Sequence, residues 1–422
     1  MMSPRWLTGI RLSRITSFLS FFPLRHAGQD NVRGARQMKK AVQFGAGNIG
    51  RGFLGQLFNQ SGYEVVFIEV KEELISQLNR EHSYRLRIVG EKTEELIIDK
   101  VRAVDGRDKV KVAEEIREAE VMATAVGVRN LSSVASLVAE GMRQRANFKV
   151  KEPINLIICE NVPNASQVFR DYLLREIEHE YRDYVDLHLG LVESVVSRMV
   201  PIIPPEIRKK DPTFIMAEEY SILPVDKKGF KGKIPEIKGM IPYENLYAYE
   251  EQKLFIHNAG HAICAYLGYL KGYRYIWQAI EDEEIRRIVR AALEESGAAL
   301  IRKHGFKPEE QRAHIEDLLR RFANRALNDS IARVGRDPIR KLGPHERLIG
   351  SAKLAYQYGI IPQNIARGIA AALLFDMEED EEARKLSQMR RKEGVDVVLK
   401  KICQIDPESH LGRLIKKNLN DK

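Results

Sequence analysis

The chain of 422 residues has little cysteine: Cys159, Cys264 and Cys403 lie far apart, and none forms a Cys-x-x-Cys pair. That count and spacing argue against a disulfide framework and a cysteine-rich zinc site, and they fit a reducing, cytoplasmic setting. No run of eighteen or more apolar residues occurs, so no membrane-spanning helix is expected. Internal repeats and low-complexity blocks are lacking too. The formal net charge of +9 suggests a nucleic-acid partner only at first sight. Residues 1–37 hold six arginines against Asp30 alone, a local +5 that leaves +4 for the remaining chain. No RNA- or DNA-binding motif accompanies that charge, so no nucleic-acid partner is expected.

What is present describes an ordinary soluble protein, with 44% hydrophobic and 30% charged residues. The length suits two or three domains, each with its own core. Residues 1–37 are arginine-rich, contain serine and carry a short apolar stretch from Ile15 to Leu24. Their composition resembles a transit peptide or a poor secretory signal, but a disordered or spurious upstream extension is the preferred reading. Met38 opens a stretch typical of the start of a nucleotide-binding enzyme. The expected organisation is an extension over 1–37, a Rossmann-type dinucleotide-binding domain over 38–205 and a mainly α-helical substrate domain over 206–422, an α/β protein overall.

The first motif is Gly45-Ala46-Gly47-Asn48-Ile49-Gly50. A strand over 39–44 runs into it, and a helix over 51–60 follows, with Phe53, Leu54, Leu57 and Phe58 at helical spacing. Ser61-Gly62 ends that helix, and an apolar strand over 64–70 carries Glu69 near its end. Strand, glycine turn, helix, strand and acid occur in the order of a dinucleotide fold. Gly45 permits the tight turn, Gly47 the approach of the pyrophosphate, and Gly50 close packing of helix on strand. The helix N-terminus offers free N–H groups to phosphate. Glu69 can accept from ribose hydroxyls and repels a 2′-phosphate, so NAD is the expected cofactor. Further strands over 120–125 and 154–159 end in Val126-Gly127 and Glu160-Asn161, and this places Val126, Gly127 and Asn161 toward the nicotinamide end.

The second half changes character. Gly229, Gly232 and Pro235 make 226–243 read as loop or hairpin, and helices dominate from Asn245. Residues 283–302 put Ile285, Ile288, Val289, Ala292, Leu293 and Leu300 on one face. Residues 365–375 are alanine-rich and expected to be buried, and 376–382 read as a solvated, acidic helix start.

Lys253, Asn258 and His261 fall in this half. On a straight α-helix they sit at about 0°, 140° and 80°, so one broad face can present all three. Oxidation of an alcohol needs a base for the hydroxyl proton and donors for the developing alkoxide. A desolvated lysine can serve as that base, and Asn258 and His261 can bind oxygens. On spacing alone, a surface lysine and a satisfied core histidine explain the pattern better. His257 and His261 form an i, i+4 pair. Asn258 stands where a zinc-protease motif needs Glu, and no cysteine cluster adds ligands, so no metal site is assigned.

Six segments in order, Phe44 to Phe53, Thr124 to Gly127, Ile158 to Asn161, Lys253 to Phe255, Asn258 to Ala262 and Arg333 to Leu342, resemble the mannitol-1-phosphate 5-dehydrogenases, which belong to the polyol-specific long-chain dehydrogenases. The resemblance runs from about Met38 almost to the C-terminus. It implies a zinc-free, NAD-dependent enzyme interconverting D-mannitol 1-phosphate and D-fructose 6-phosphate. It also implies Lys253 as general acid/base, Asn161 and Asn258 as the oxyanion site, His261 as a substrate ligand, and Arg333, Arg336 and Lys341 as the basic substrate-binding positions. Two departures bear on the substrate. Ser197-Arg198 stands where the family usually has Asp-Arg, and Ile222-Leu223 stands where it tends to carry Glu-Trp. The nearest rival is therefore a paralogue acting on another sugar phosphate or on a sugar acid such as tagaturonate or fructuronate. A non-catalytic NAD sensor is more distant, since a sensor need not keep a proton-transfer set. The partner expected is a small sugar or polyol phosphate. Oligomeric state is left open, with a monomer admissible.

Overall fold

The computed structural model describes residues 38–420, so the extension expected over 1–37 lies outside the described residues. The strands, in chain order, are β1 Lys39–Phe44, β2 Tyr63–Glu69, β3 Ser83–Val89, β4 Thr93–Asp99, β5 Val101–Asp105, β6 Val121–Thr124, β7 Ile154–Ile158, β8 Leu189–Glu193, β9 Ile215–Glu218, β10 Leu223–Asp226 and β11 Met240–Tyr243. Six of them form a parallel sheet in the order β5-β2-β1-β6-β7-β8. The direction of winding reverses between β1 and β6, which opens a crevice beyond their carboxyl ends. The sheet is apolar on both faces because helices cover both. Ala41, Val65 and Phe67 point into one core with Phe53 and Leu57, whereas Val42, Val66 and Ile68 point into another with Val138 and Phe169.

A smaller sheet in the order β4-β3-β9 flanks this domain, with β3 antiparallel to β4 and parallel to β9. The segment 226–243, expected as loop or hairpin, leads from β10 into β11, and the two strands pair in parallel. A tight turn cannot join parallel neighbours. The chain instead makes a short 3₁₀ turn over Lys227–Gly229 and a loop before it returns.

Beyond Asn245 the fold is helical. Asp282 caps Glu283–His304 by accepting from Ile285 N at 3.0 Å, and Gly305, at φ +74°, ends it. All six apolar residues expected on one face of this helix are buried. They pack around Ala259–Leu270 and Gln363–Leu373, the alanine-rich helix expected to be buried. The acidic run 376–382 becomes helical only at Glu381, because Asp380 accepts from Glu382 N and Ala383 N and fixes the start there. Two other helix expectations need correction. The helix read over 51–60 begins as a π-helical turn, Gly50–Leu54, and continues as Gly55–Gln60. The stretch around Lys253 is likewise not a straight α-helix, because Lys253–Asn258 is π-helical between Leu246–Gln252 and Ala259–Leu270.

A buried charge cluster joins the parts. Glu218, at the end of β9, accepts from Arg321 Nε at 2.8 Å and Nη2 at 2.6 Å, and from Met199 N at 2.6 Å. Arg198 donates to the Glu218 carbonyl oxygen and to Gln56 Oε1 at 2.6 Å. Arg321 also donates to the Ser197 carbonyl oxygen at 2.6 Å and lies over the Tyr220 ring. Gln56 belongs to the cofactor-side helix and Arg321 to Pro308–Phe322, so this cluster fastens sheet to helices. Arg321→Ala would leave the Glu218 carboxylate buried without its cation, which should cost about 3–5 kcal/mol. Arg290→Ala, which breaks the exposed pair with Glu316, should cost no more than about 1 kcal/mol. Urea denaturation of both variants checks this, and equal losses would contradict it.

Candidate active site

The crevice at the carboxyl ends of β1, β6 and β7 gathers most of the residues singled out by the sequence. At Gly45 the chain turns with φ +88°, and a Cβ there would lie 2.7 Å from the Ala125 carbonyl oxygen. A Cβ on Gly50 would collide with the Gly45 carbonyl oxygen. Gly47 differs, because a Cβ there would meet nothing within 4 Å. Its backbone borders open space, as the approach of a pyrophosphate requires. Ala46, Asn48 and Ile49 complete the loop. Arg51 clamps it: its buried guanidinium donates to the Ala46 carbonyl oxygen at 2.6 Å and to the carbonyl oxygens of Pro212 and Thr213. Glu69 accepts from Ala46 N at 3.0 Å and from Val70 N and Lys71 N at 2.8 and 3.2 Å. A fixed carboxylate thus stands beside the glycine turn.

The N–H groups of Val126 and Gly127 donate to Glu160 at 2.8 and 2.9 Å. Burial raises the Glu160 carboxyl, and those two N–H groups oppose the shift. Glu160 thereby holds the end of β7 against the end of β6 and aims the next residue, Asn161, across the crevice. There Lys253 Nζ donates to Asn161 Oδ1 over 3.4 Å. That contact leaves the Asn161 amide N–H groups for another acceptor.

The Lys253 ammonium is pushed down to about 8, first by loss of water and then by the Arg347 guanidinium, while Glu250 pulls the other way. Roughly one Lys253 side chain in ten is then neutral at pH 7, against about one in a few thousand for an ordinary lysine. Glu250, one turn earlier, is itself raised by burial and by Glu193. Asn258, half-buried, closes the π-helical turn that Lys253 opens. His261 stacks on Phe322, with ring centroids 4.8 Å apart at 10°. Its Nε2 lies 2.9 Å from Asp329 Oδ2. The His257 ring sits 6.1 Å from that of His261 and is buried. Among the described residues no three His, Cys, Asp or Glu side chains converge as a metal group would need.

The basic positions divide into two. Arg333 is engaged by Asp329, which accepts from its Nε at 2.8 Å. Arg336 is exposed, and its carbonyl oxygen accepts from the buried Lys341 Nζ. Burial, then Arg347 and Arg340, push the Lys341 ammonium down to about 7. Five basic side chains stand against Asp337 and Glu346 between residues 333 and 347. Arg340 is tied to both acids, and Arg347 holds Glu346 at 3.3 Å. The excess positive charge around Lys341 is the chemistry of an anion site. Arg51, Glu160, Asp329 and Arg347 were not singled out in the sequence. Only Asp329 left a local signal, its i, i+4 spacing to Arg333.

With this geometry in place, comparison with known proteins is direct. The family profile of the mannitol dehydrogenase Rossmann domain matches residues 39–239, and that of the mannitol dehydrogenase C-terminal domain matches 245–421. The chain belongs to the mannitol dehydrogenase family. It is therefore an oxidoreductase acting on CH–OH groups. The chain is 39% identical to a mannitol-1-phosphate 5-dehydrogenase of Geobacillus stearothermophilus over 89% of its own length and 98% of the relative's. It is 38% identical to the protein of that name from Caldanaerobacter subterraneus subsp. tengcongensis, over 90% and 97%. A substrate-free D-sorbitol dehydrogenase shares the fold with a TM-score of 0.75 at 17% identity, over 90% of this chain and 91% of that one. A Pseudomonas fluorescens mannitol 2-dehydrogenase does so with a TM-score of 0.69 at 16% identity, over 92% of each.

The two departures from the family pattern are now placed. Ser197 lends its carbonyl oxygen to Arg321, and Leu223 is buried at the start of β10. The glycine cradle supplies a prediction for this family member. Gly47→Ala should change stability by no more than about 0.5 kcal/mol, since the methyl group enters open space. It should weaken dinucleotide binding by about tenfold or more, by filling the phosphate approach. Thermal unfolding and fluorescence titration with NADH measure the two effects. Loss of stability with unchanged binding would contradict the assignment of the cradle.

Proposed function

We propose that the protein is an NAD-dependent, metal-independent dehydrogenase that interconverts D-mannitol 1-phosphate and D-fructose 6-phosphate, with Lys253 as general acid/base. The observation that carries this is the desolvated Lys253 ammonium, held against Asn161 at the carboxyl edge of a dinucleotide-type sheet. The relatives named mannitol-1-phosphate 5-dehydrogenase support the substrate class. NAD is the cofactor: the open backbone at Gly47 suits its pyrophosphate, and the Glu69 carboxylate suits its ribose and opposes a 2′-phosphate.

The cradle of Gly45, Gly47 and Gly50 would hold NAD, which would supply the hydride acceptor for the carbinol carbon and, reduced, the donor for the reverse direction. Neutral Lys253 takes the hydroxyl proton during oxidation, and the ammonium gives it back during reduction. Asn161 and Asn258 donate to the oxygen as its charge grows. His261 binds a neighbouring hydroxyl. Arg336 and Lys341, with Arg347 behind them, hold the phosphate. A dianion there offsets the burial, and the repulsion from Arg347 and Arg340, that keep the Lys341 ammonium low. Arg333 borders this set and reaches it from the Asp329 side.

An NADH-oxidation screen with fructose 6-phosphate, fructose, tagaturonate and fructuronate tests the reading. Fructose 6-phosphate should give the highest kcat/KM, and free fructose should lose mainly in KM. Preference for either sugar acid would replace the phosphate by a carboxylate.

The acid/base assignment has its own test. Oxidation requires neutral Lys253, so its rate should rise with pH and level off above about 8, and reduction should fall through the same range. Lys253→Ala should cost on the order of a hundredfold or more in turnover and remove that inflection. NADH affinity should stay nearly unchanged, because the cofactor rests on the cradle. Near-normal turnover with an unaltered pH profile would contradict the role of Lys253.

A further inference from the structure

Asp329 is one of the few carboxylates buried in the helical half, and it touches two of the proposed substrate ligands at once. Its Oδ2 lies 2.9 Å from His261 Nε2, and its Oδ1 accepts from Arg333 Nε at 2.8 Å and from Arg333 Nη2. The backbone on either side is pinned. Ile276 N donates to the Asp329 carbonyl oxygen at 2.9 Å, and Ile331 N donates to the Arg274 carbonyl oxygen at 2.9 Å. Ser330 next caps Ile331–Gly335, the short helix that carries Arg333. The carboxylate therefore has one position. Burial pushes its carboxyl up, but His261 and Arg333 outweigh that and hold it below the ordinary value, so it stays ionised. The His261 ring is fixed on the other side by the parallel face of Phe322. Nε2 makes no regular hydrogen bond to the carboxylate, but an unprotonated Nε2 would set its lone pair against an anion 2.9 Å away, so the proton is favoured on that nitrogen.

We propose that Asp329 is a positioning residue for the reaction: it keeps the His261 proton on Nε2, leaves Nδ1 as an acceptor for a substrate hydroxyl, and through its second oxygen holds Arg333 at the edge of the basic cluster. The buried carboxylate thus sets the polarity of one hydrogen bond to the polyol and the aim of one cation. This rests on the reading of His261 as a substrate ligand.

Asp329→Asn tests it, since the shape is kept and the charge removed. An amide can present its N–H groups to Nε2 and so favour the wrong tautomer, a logic that applies wherever a carboxylate orients a histidine. kcat/KM for fructose 6-phosphate should fall about tenfold to a hundredfold. NADH affinity should stay close to that of the parent protein. In a His261→Ala background the same change should cost clearly less than in the parent, because the part of the loss that runs through His261 is gone and only the part through Arg333 remains. An equal loss in both backgrounds, or no loss in the parent, would overturn the proposal.

The tautomer can also be read without any variant. ¹⁵N shifts of the His261 imidazole, assigned by their absence in His261→Ala, should show a protonated Nε2 and an unprotonated Nδ1. The opposite pattern would overturn the proposal even if Asp329→Asn cannot be recovered folded. If the wild-type protein turns over no tested sugar with NADH, the functional reading falls, and the imidazole shifts still decide whether Asp329 sets the tautomer.

Discussion

In the proposed mechanism the chemistry depends on an ammonium group partly shielded from water. Lys253 lies where the carboxyl edge of the parallel sheet meets the helical half, with Asn161 on one side and the Arg347 guanidinium within electrostatic reach on the other. An isolated buried cation is costly, and the protein lowers that cost by letting the group lose its proton near neutral pH. In the proposed mechanism that response is what lets the side chain act as a base. Two features of the backbone place it. Glu160 ties the ends of β6 and β7 together and so fixes Asn161. The π-helical turn Lys253–Asn258 breaks the α-helical register between Leu246–Gln252 and Ala259–Leu270 and puts a lysine and an asparagine at its two ends. Such turns recur at functional sites because the widened backbone redirects side chains that a regular helix would stack. The second π-helical turn, Gly50–Leu54, opens the helix of the glycine cradle.

The charged groups contrast in how they are satisfied. Glu218 and Arg321 are buried and matched, and they fasten the halves together. Lys341 is also buried, but its neighbours Arg340 and Arg347 share its sign, and both carboxylates of the segment are occupied elsewhere. A matched pair serves structure, whereas an unmatched buried cation is a place for an incoming anion. Asp329 stands between these cases, since it matches Arg333 and at the same time faces His261.

The fold and the site were unequally legible in the sequence. The strand over 39–44, the glycine turn and Glu69 could be read because strand, turn and acid are local features with a fixed physical order. The strand read over 64–70 is in fact Tyr63–Glu69, a shift of one residue at an end where the apolar run has no sharp boundary. The face of Glu283–His304 was legible for the same reason, a sustained helical period. The π-helical turns Gly50–Leu54 and Lys253–Asn258 are not legible, because their apolar spacing does not differ enough from an α-helix over five or six residues. The parallel pairing of β10 with β11 and the joining of β9 to β3 are not legible either, since their partners are set by tertiary packing. In the site, Lys253, Asn258 and His261 drew notice as a cluster in sequence. Arg347 acts on Lys253 from ninety-four residues away, and Glu160 acts through backbone N–H groups that carry no residue identity.

Direct titration of Lys253 tests the account most sharply. With ¹³C-labelled lysine, the resonance absent from Lys253→Ala belongs to this side chain, and its pH dependence gives the ammonium pKa in the resting protein. A midpoint near 8 is the predicted result. A midpoint near the ordinary lysine value of 10.5 would contradict it, because the group would then be a solvated cation at neutral pH and no base for the polyol hydroxyl.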